Sequence, residues 1–331
     1  MDPLTHALTG LALSRTGVKR WCAQATWVLV LAATAPDIEV LSLAAGETTY
    51  LHYHRHLTHA LVMLPVMALL PVLMVRFLMR KTLSWPRAYA LSLLGVASHL
   101  GLDWTNSYGA RLLLPFSDRW FSLDITNLID LWIWAALLVA ALGPALSRLV
   151  SSEIGARPGS GRGLALLVLG FLLSYEFGRY LLHQRAVTVL ESRLYNGLVP
   201  SRVAALPGPV NPFHWQALVE TPEFYSVQAV DLLTEFDPAN GRTLYKPEPG
   251  PAETAAWEAA SRTEAFQIFL QFAQYPLRRF TPLEQPGKGI RVEVMDLRFG
   301  TPPQRRFVAT ALVGEDGRVR RSWFAYNLRE S

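Results

Sequence analysis

Cysteine is almost absent: Cys22 is the only one in 331 residues. An intramolecular disulfide is excluded, and so is a zinc cluster built on thiolates. Charge is also scarce. Asp, Glu, Lys and Arg make up 17% of the chain, against about 25% in an ordinary soluble domain. With 51% hydrophobic residues, the deficit excludes disorder and argues against a cytosolic enzyme. The opening stretch MDPLTHALTG has no basic residue ahead of its apolar part, so no cleavable signal peptide is expected. Three catalytic signatures are missing as well: His-Glu-x-x-His, the Walker A loop and Gly-x-Ser-x-Gly. A gluzincin-type protease, a phosphate-loop enzyme and a serine hydrolase are thereby disfavoured.

Long apolar runs are abundant, and a membrane span needs about 20 such residues. Trp21–Ala35 (extended towards Ala45), Leu57–Val75, Ala88–Trp104, Leu128–Leu146 and Gly163–Leu182 meet or approach that length. Pro3–Ser14 is apolar but short and reads as a sixth span or an interfacial helix. The net charge of +5 is then explained by loops rather than by nucleic-acid binding. Arg15, Lys19 and Arg20, then Arg76, Arg80, Lys81 and Arg87, then Arg148, Arg157 and Arg162 occupy alternate loops. The positive-inside rule places these in the cytoplasm. Residues 36–56, 106–127 and everything beyond about 185 then face outward.

The expected architecture is an all-α polytopic membrane domain of about five to six transmembrane helices over residues 1–185. A smaller extracytoplasmic α+β domain covers 186–331. Residues 151–162, SSEIGARPGSGR, read as a cytoplasmic linker. In the tail, Ala252–Tyr275 predicts one amphipathic helix, and Ile290–Phe299 and Arg306–Val313 predict strands. Val313-Gly-Glu-Asp-Gly followed by Val319–Tyr326 predicts a hairpin.

Ionisable residues within or beside spans are costly and tend to be functional. Six of the eight histidines, at 6, 52, 54, 56, 59 and 99, gather beside Asp37, Glu39 and Asp103 in or near the first four apolar segments. Under the orientation above they share one depth near the outer face. His99 and Asp103 are four apart, hence on one helix face. His52, His56 and His59 also have helical spacing, although His52 and His56 read equally well as loop neighbours. Pro36 breaks the second segment and aims Asp37 at a cavity. A donor set of His6, Asp37, His54, His59, His99 and Asp103 without thiolate suits Zn²⁺, with Mn²⁺ or Fe²⁺ as alternatives. Asp103 can bridge two ions, and Arg55 can hold a phosphate oxygen.

The segments Asp2-Pro-Leu-Thr-His6, Ala35-Pro-Asp37, His54-Arg55-x-x-Thr58-His59, His99-x-x-x-Asp103 through Tyr108-Gly109, and Leu114-Pro-Phe-Ser117 carry a likeness. Over about residues 1–150 the chain resembles the YdjM-like membrane-bound metal-dependent hydrolases. That family is distantly similar to zinc-dependent phospholipase C and related single-strand nucleases. The resemblance implies phosphoester hydrolysis, with His6, Asp37, His59, His99 and Asp103 as ligands and His54 next. Pro207-Gly-Pro-Val-Asn211-Pro-Phe-x-Trp215 resembles a C-terminal extension of some members.

The leading expectation is a metal-dependent hydrolase in the plasma (inner) membrane. It acts on a lipid-linked or small phosphoester or pyrophosphate, with Asp37 or Glu39 as general base and Arg55 on the phosphate. Membrane lipids are expected partners and nucleic acid is not. The alternatives are a metal or proton transporter, which needs a midplane site open to both faces, and a metal-stapled structural membrane protein.

Overall fold

The computed structural model describes residues 1–153, 161–283 and 288–327. Arg157 and most of the 151–162 linker lie outside the described residues.

Helix α1 (Pro3–Ser14) starts where sequence chemistry dictates. Pro3 occupies the first turn, and the Asp2 carboxylate accepts the Leu4 and Thr5 N–H groups at 3.1 Å each. Helix α2 (Ala25–Thr34) ends at Pro36, which cannot donate to the helical ladder, and the chain tightens into 3₁₀ turns over Ala35–Ala45. Helices α3 (Glu47–Tyr53), α4 (Leu64–Leu73), α5 (Trp85–Thr105), α6 (Leu131–Glu153) and α7 (Arg162–Glu191) complete the first half.

Four helical stretches are long and apolar enough to cross a membrane: Ala25–Ala45, Leu61–Leu78, Leu131–Ser151 and Arg162–Glu191. Pro3–Ser14 has 12 residues and is too short for that standard. Trp85–Thr105 has the length, with 21 residues, but not the hydropathy, because it carries His99, Asp103 and other polar groups. The count on length and composition is therefore four, below the expected five to six.

Helix α2 is the central stave. Its Ala25, Val28 and Leu29 pack with Val72 and Val75 on one side and Ala88 and Leu91 on another. Ala32 meets Met67, Ala68, Val96 and Leu100. Two glycines set how closely its neighbours approach. A Cβ on Gly10 would lie 2.6 Å from the Leu29 carbonyl oxygen, and one on Gly95 would lie 2.6 Å from the Ala32 Cβ. These contacts draw α1 and α5, which carry His6 and His99, against α2.

The second half is two four-stranded antiparallel sheets with helices α8 (Pro251–Ser261) and α9 (Glu264–Phe272). Strands β1 (Arg202–Pro207), β2 (His214–Glu220), β3 (Phe224–Asp231) and β4 (Arg242–Tyr245) form one meander. Strands β5 (Pro276–Leu283), β6 (Gly289–Asp296), β7 (Arg306–Gly314) and β8 (Val319–Asn327) form the other. The single helix expected over Ala252–Tyr275 is two helices, because the chain turns at Arg262–Thr263 to lay both on the second sheet. The strands expected at 290–299 and 306–313 and the hairpin are present, while β1 to β5 were not anticipated.

The halves are joined by continuous packing. Helix α7 has 30 residues, about 45 Å of rise against a hydrocarbon core of about 30 Å. Its end therefore projects, and Ala186 and Leu190 enter the core of the first sheet beside Trp215. Leu51 and Tyr108 from the helical half belong to the core of the second sheet.

The close crossing of α1 on α2 gives a first prediction. Gly10→Val is expected to destabilise the detergent-solubilised protein by about 1–3 kcal/mol through overpacking against Leu29. Thermal unfolding checks this; an unchanged midpoint would show that the helices separate freely.

Candidate metal centre

Four stretches of backbone converge at the C-terminal end of α2. Helix α1 supplies His6 and α5 supplies His99 and Asp103; the 3₁₀ segment supplies Asp37 and Glu39, and residues 54–59 supply His54, Arg55 and His59. His6, His59, His99 and Asp103 are fully buried. Asp103 is the hub. Its Oδ2 lies 3.0 Å from His59 Nε2 and 3.3 Å from His99 Nε2. Its Oδ1 accepts Arg55 Nη2 at 2.9 Å and lies 3.3 Å from His6 Nε2. The Met1 amino nitrogen also contacts Oδ1.

The histidine tautomers are set from behind. His99 Nδ1 is 2.7 Å from the Ala33 carbonyl, which only accepts, so Nδ1 carries the proton. His59 Nδ1 faces Glu39 Oε2 at 3.4 Å and Thr58 Oγ1 at 3.1 Å, and a proton there satisfies the carboxylate. Both Nε2 lone pairs then point inward, 3.0 Å apart, onto Asp103 Oδ2. Three acceptors facing one another in a buried site repel unless a cation lies among them. His6 stacks on His99 at 3.7 Å between ring centroids, and neither of its ring nitrogens makes a hydrogen bond of ordinary geometry. One group able to hold an ion is His59, His99 and Asp103; a second is His6, Asp37 and His99, so the two share His99. These donors fit one or two borderline divalent ions.

Glu39 and Asp37 differ in what remains free. Glu39 accepts the Arg55 backbone N–H and the Thr58 hydroxyl, and His54 Nδ1 lies 3.0 Å from its Oε1. It orients the histidine segment. Asp37 is part-exposed to a cavity; its Oδ1 lies 3.6 Å from His99 Nε2 and its Oδ2 has no hydrogen-bond partner. His54 forms part of the cavity wall against Tyr108, and burial lowers its pKa.

Arg55 is turned inward. It has a left-handed backbone, φ 54°, which places its N–H on Glu39 while its guanidinium reaches Asp103 and the Gly109 carbonyl, the latter at 2.9 Å. Such a conformation costs of order 1–3 kcal/mol and persists only where surroundings impose it. Arg55 Nε has no partner and the residue lines the cavity. His52 and His56 stack on each other at 5.6 Å, away from the cluster; helix α3 ends at Tyr53, so the helical spacing through His59 is not realised. Of the acids that follow, Asp118 is exposed and faces Arg111 at 3.9 Å, and Asp130 accepts from Tyr175. Asp124 is half-buried, with its pKa pushed up to about 6 by desolvation.

A cavity of about 1160 Å³ opens beside Asp37 between the two halves. Tyr50 and Tyr108 line it from the first half, Arg298, Arg306 and Tyr326 from the second. Of these only Tyr108 had a sequence signal, the Tyr108-Gly109 motif; no local pattern marks the others.

A membrane protein with several helices long and apolar enough to span, and a buried His/Asp cluster at one end of its bundle, is the class this geometry defines. Residues 1–185 match the model of the YdjM inner membrane protein family, and the chain belongs to it. Over 350 aligned positions it is 25% identical to the uncharacterized protein YfhP of Bacillus subtilis (strain 168), covering all of this chain and 96% of that protein. No solved structure matches. Neither match names phospholipase C.

Two predictions follow from the electrostatics. Asp103→Ala leaves the Arg55 guanidinium buried without its carboxylate, a loss of about 3–5 kcal/mol; chemical unfolding in detergent measures it, and a loss below 1 kcal/mol would refute the hub. Asp124 has a folded pKa above its unfolded value, so stability is highest below about pH 4 for this group and falls as pH rises towards 6. Asp124→Asn keeps the left-handed backbone accessible and is expected to stabilise the protein at pH 7 and flatten this dependence. A steeper profile in the variant would contradict the sign.

Proposed function

We propose that the protein is a metal-dependent hydrolase at the outer face of the inner membrane, cleaving a phosphoester or pyrophosphate of a lipid or surface precursor. The observation that carries the reading is the inward convergence of His59 Nε2, His99 Nε2 and Asp103 Oδ2 beside a part-exposed Asp37. In this reading α1 and α5 complete a bundle of five to six crossing helices. The basic loops face the cytoplasm, and the cavity and the tail face outward.

Zn²⁺, or Mn²⁺ or Fe²⁺, held by His6, Asp37, His59, His99 and Asp103, with His54 adjacent, supplies a Lewis acid for phosphorus–oxygen cleavage. The chain supplies the rest. Asp37 Oδ2 takes a proton from water as its oxygen bonds to phosphorus. The phosphorus–oxygen bond to the leaving group breaks, and the same carboxyl returns the proton to the departing oxygen. Arg55 Nε, unpartnered in the cavity wall, donates to a phosphate oxygen. Glu39, engaged on both oxygens, holds His59 and Arg55 rather than exchanging protons.

Elemental analysis of detergent-purified wild type beside His99→Ala and Asp103→Ala tests this. One or two ions per chain in the wild type, lost in both variants, are expected, together with release of phosphate or a phosphorylated head from lipid phosphoesters. Asp37→Asn is expected to lower kcat by about 10²–10⁴. No metal after zinc reconstitution, or metal retained in Asp103→Ala, would overturn the reading. Metal without hydrolysis of any lipid or soluble phosphoester would make the site a structural staple.

A further inference from the structure

The cavity beside Asp37 has two chemically distinct ends. One end is apolar and belongs to candidate membrane spans: Leu31 and Ile38 from Ala25–Ala45, and Leu70 and Met74 from Leu61–Leu78. Ile38, Leu70 and Met74 are 50%, 37% and 40% exposed, so this end opens sideways between α2 and α4. Met74 lies thirteen residues beyond Leu61, about 20 Å along a helix axis, which is well into a hydrocarbon core of about 30 Å. The other end is polar and roofed by the second half. Arg306 is exposed there and makes no ion pair among the described residues. The hydroxyls of Tyr108 and Tyr326 are buried in the wall and face each other.

We propose that this cavity binds a single anionic phospholipid, its chain in the α2–α4 groove and its phosphate head under Arg306, Tyr108 and Tyr326, delivered to Asp37 from the bilayer side. The size of the space supports one amphipathic occupant. At about 1160 Å³ it exceeds the ~300–1,000 Å³ of ordinary small-ligand pockets, and a soluble phosphoester would leave the groove at Leu31, Leu70 and Met74 without a partner. Charge complementarity fixes the sign of the head, since the one unpaired cation of the roof among the described residues is Arg306. The second half thereby gains a role as the roof that selects the head. The position of the reacting bond rests on the hydrolase reading above; the binding of the lipid does not.

The test therefore reads binding. Full-length protein in detergent, with chelator present so that no turnover occurs, is photolabelled with phosphatidic acid bearing a diazirine in its acyl chain. Labelled peptides are mapped by mass spectrometry. Labels concentrated in residues 25–45 and 61–78, competed by unlabelled phosphatidic acid but not by glycerol 3-phosphate at equal concentration, are expected. Arg306→Glu is expected to lower this labelling about tenfold, equivalent to 1.4 kcal/mol. Labels spread evenly onto α6 and α7 would overturn the proposal, as would equal competition by glycerol 3-phosphate, which would assign the cavity to a soluble phosphoester. Labelling unchanged in Arg306→Glu would remove the roof from head recognition. Retained labelling in a protein shown to hydrolyse nothing would defeat the catalytic reading and leave the lipid site standing.

Discussion

The ion pair of Asp103 with Arg55 is the constraint on which the first half depends. Taking two charges out of water is expensive, and the pair is tolerated only when hydrogen bonds satisfy what remains. Here most of that need is met. Asp103 faces the guanidinium on one oxygen and two imidazoles on the other, and the guanidinium also donates to the Gly109 carbonyl, which leaves Arg55 Nε without a partner. The four elements that supply these groups cannot shift independently without exposing one of them. An apolar core of the same size would hold the helices as well, so the retention of ionised groups at this depth is evidence of chemistry rather than of stability.

A second layer makes the first one specific. Glu39 and the Ala33 carbonyl bind the outer nitrogens of His59 and His99, and so decide which nitrogen turns inward. Both come from the stretch where α2 gives way at Pro36. The 3₁₀ turns that follow place Asp37 towards the cavity and Glu39 towards the histidine segment, two residues apart and facing different neighbours. The break is thus part of the site, and the close approach at Gly10 and Gly95 brings α1 and α5 near enough to use it.

Much of this was legible in the sequence, for reasons that differ by residue. His99 and Asp103 are readable because helical spacing fixes their common face. His6 and Asp37 stand out because a polar group in an apolar run is costly. Two roles were not legible. Arg55 was expected on a phosphate; that its left-handed backbone also turns its guanidinium onto Asp103 was not legible, because no spacing rule reports φ. His52 and His56 share helical periodicity with His59 only if a helix continues past Tyr53, and it does not. In the tail, β6 alternates apolar and charged residues over Ile290–Val294 and the Gly-Glu-Asp-Gly turn marks the β7–β8 hairpin, whereas β1 ends in Pro207 and its pattern is weak. Roof residues such as Arg298 and Tyr326 join the cavity only through contacts across more than 190 positions, which composition and periodicity do not encode.

Those long-range contacts also decide how the two halves are to be regarded. Arg298 is tied to Asp296 and donates to the Ser107 carbonyl just beyond α5. Arg179 on α7 donates to Ile125 in the helical half and to Pro212 in the tail while lying 4.2 Å over the Trp215 ring. The backbone N–H of Phe324 reaches Thr48, and that of Tyr326 reaches Glu47. These contacts fasten the tail to the start of α3 and to two points of the loop between α5 and α6, at the end of the bundle that holds the His/Asp cluster. A tail that only tethered a partner would need one attachment and would leave that end open. Several attachments around its rim instead fix the height of the roof over Asp37. The volume and the polarity of the cavity are therefore properties of both halves together.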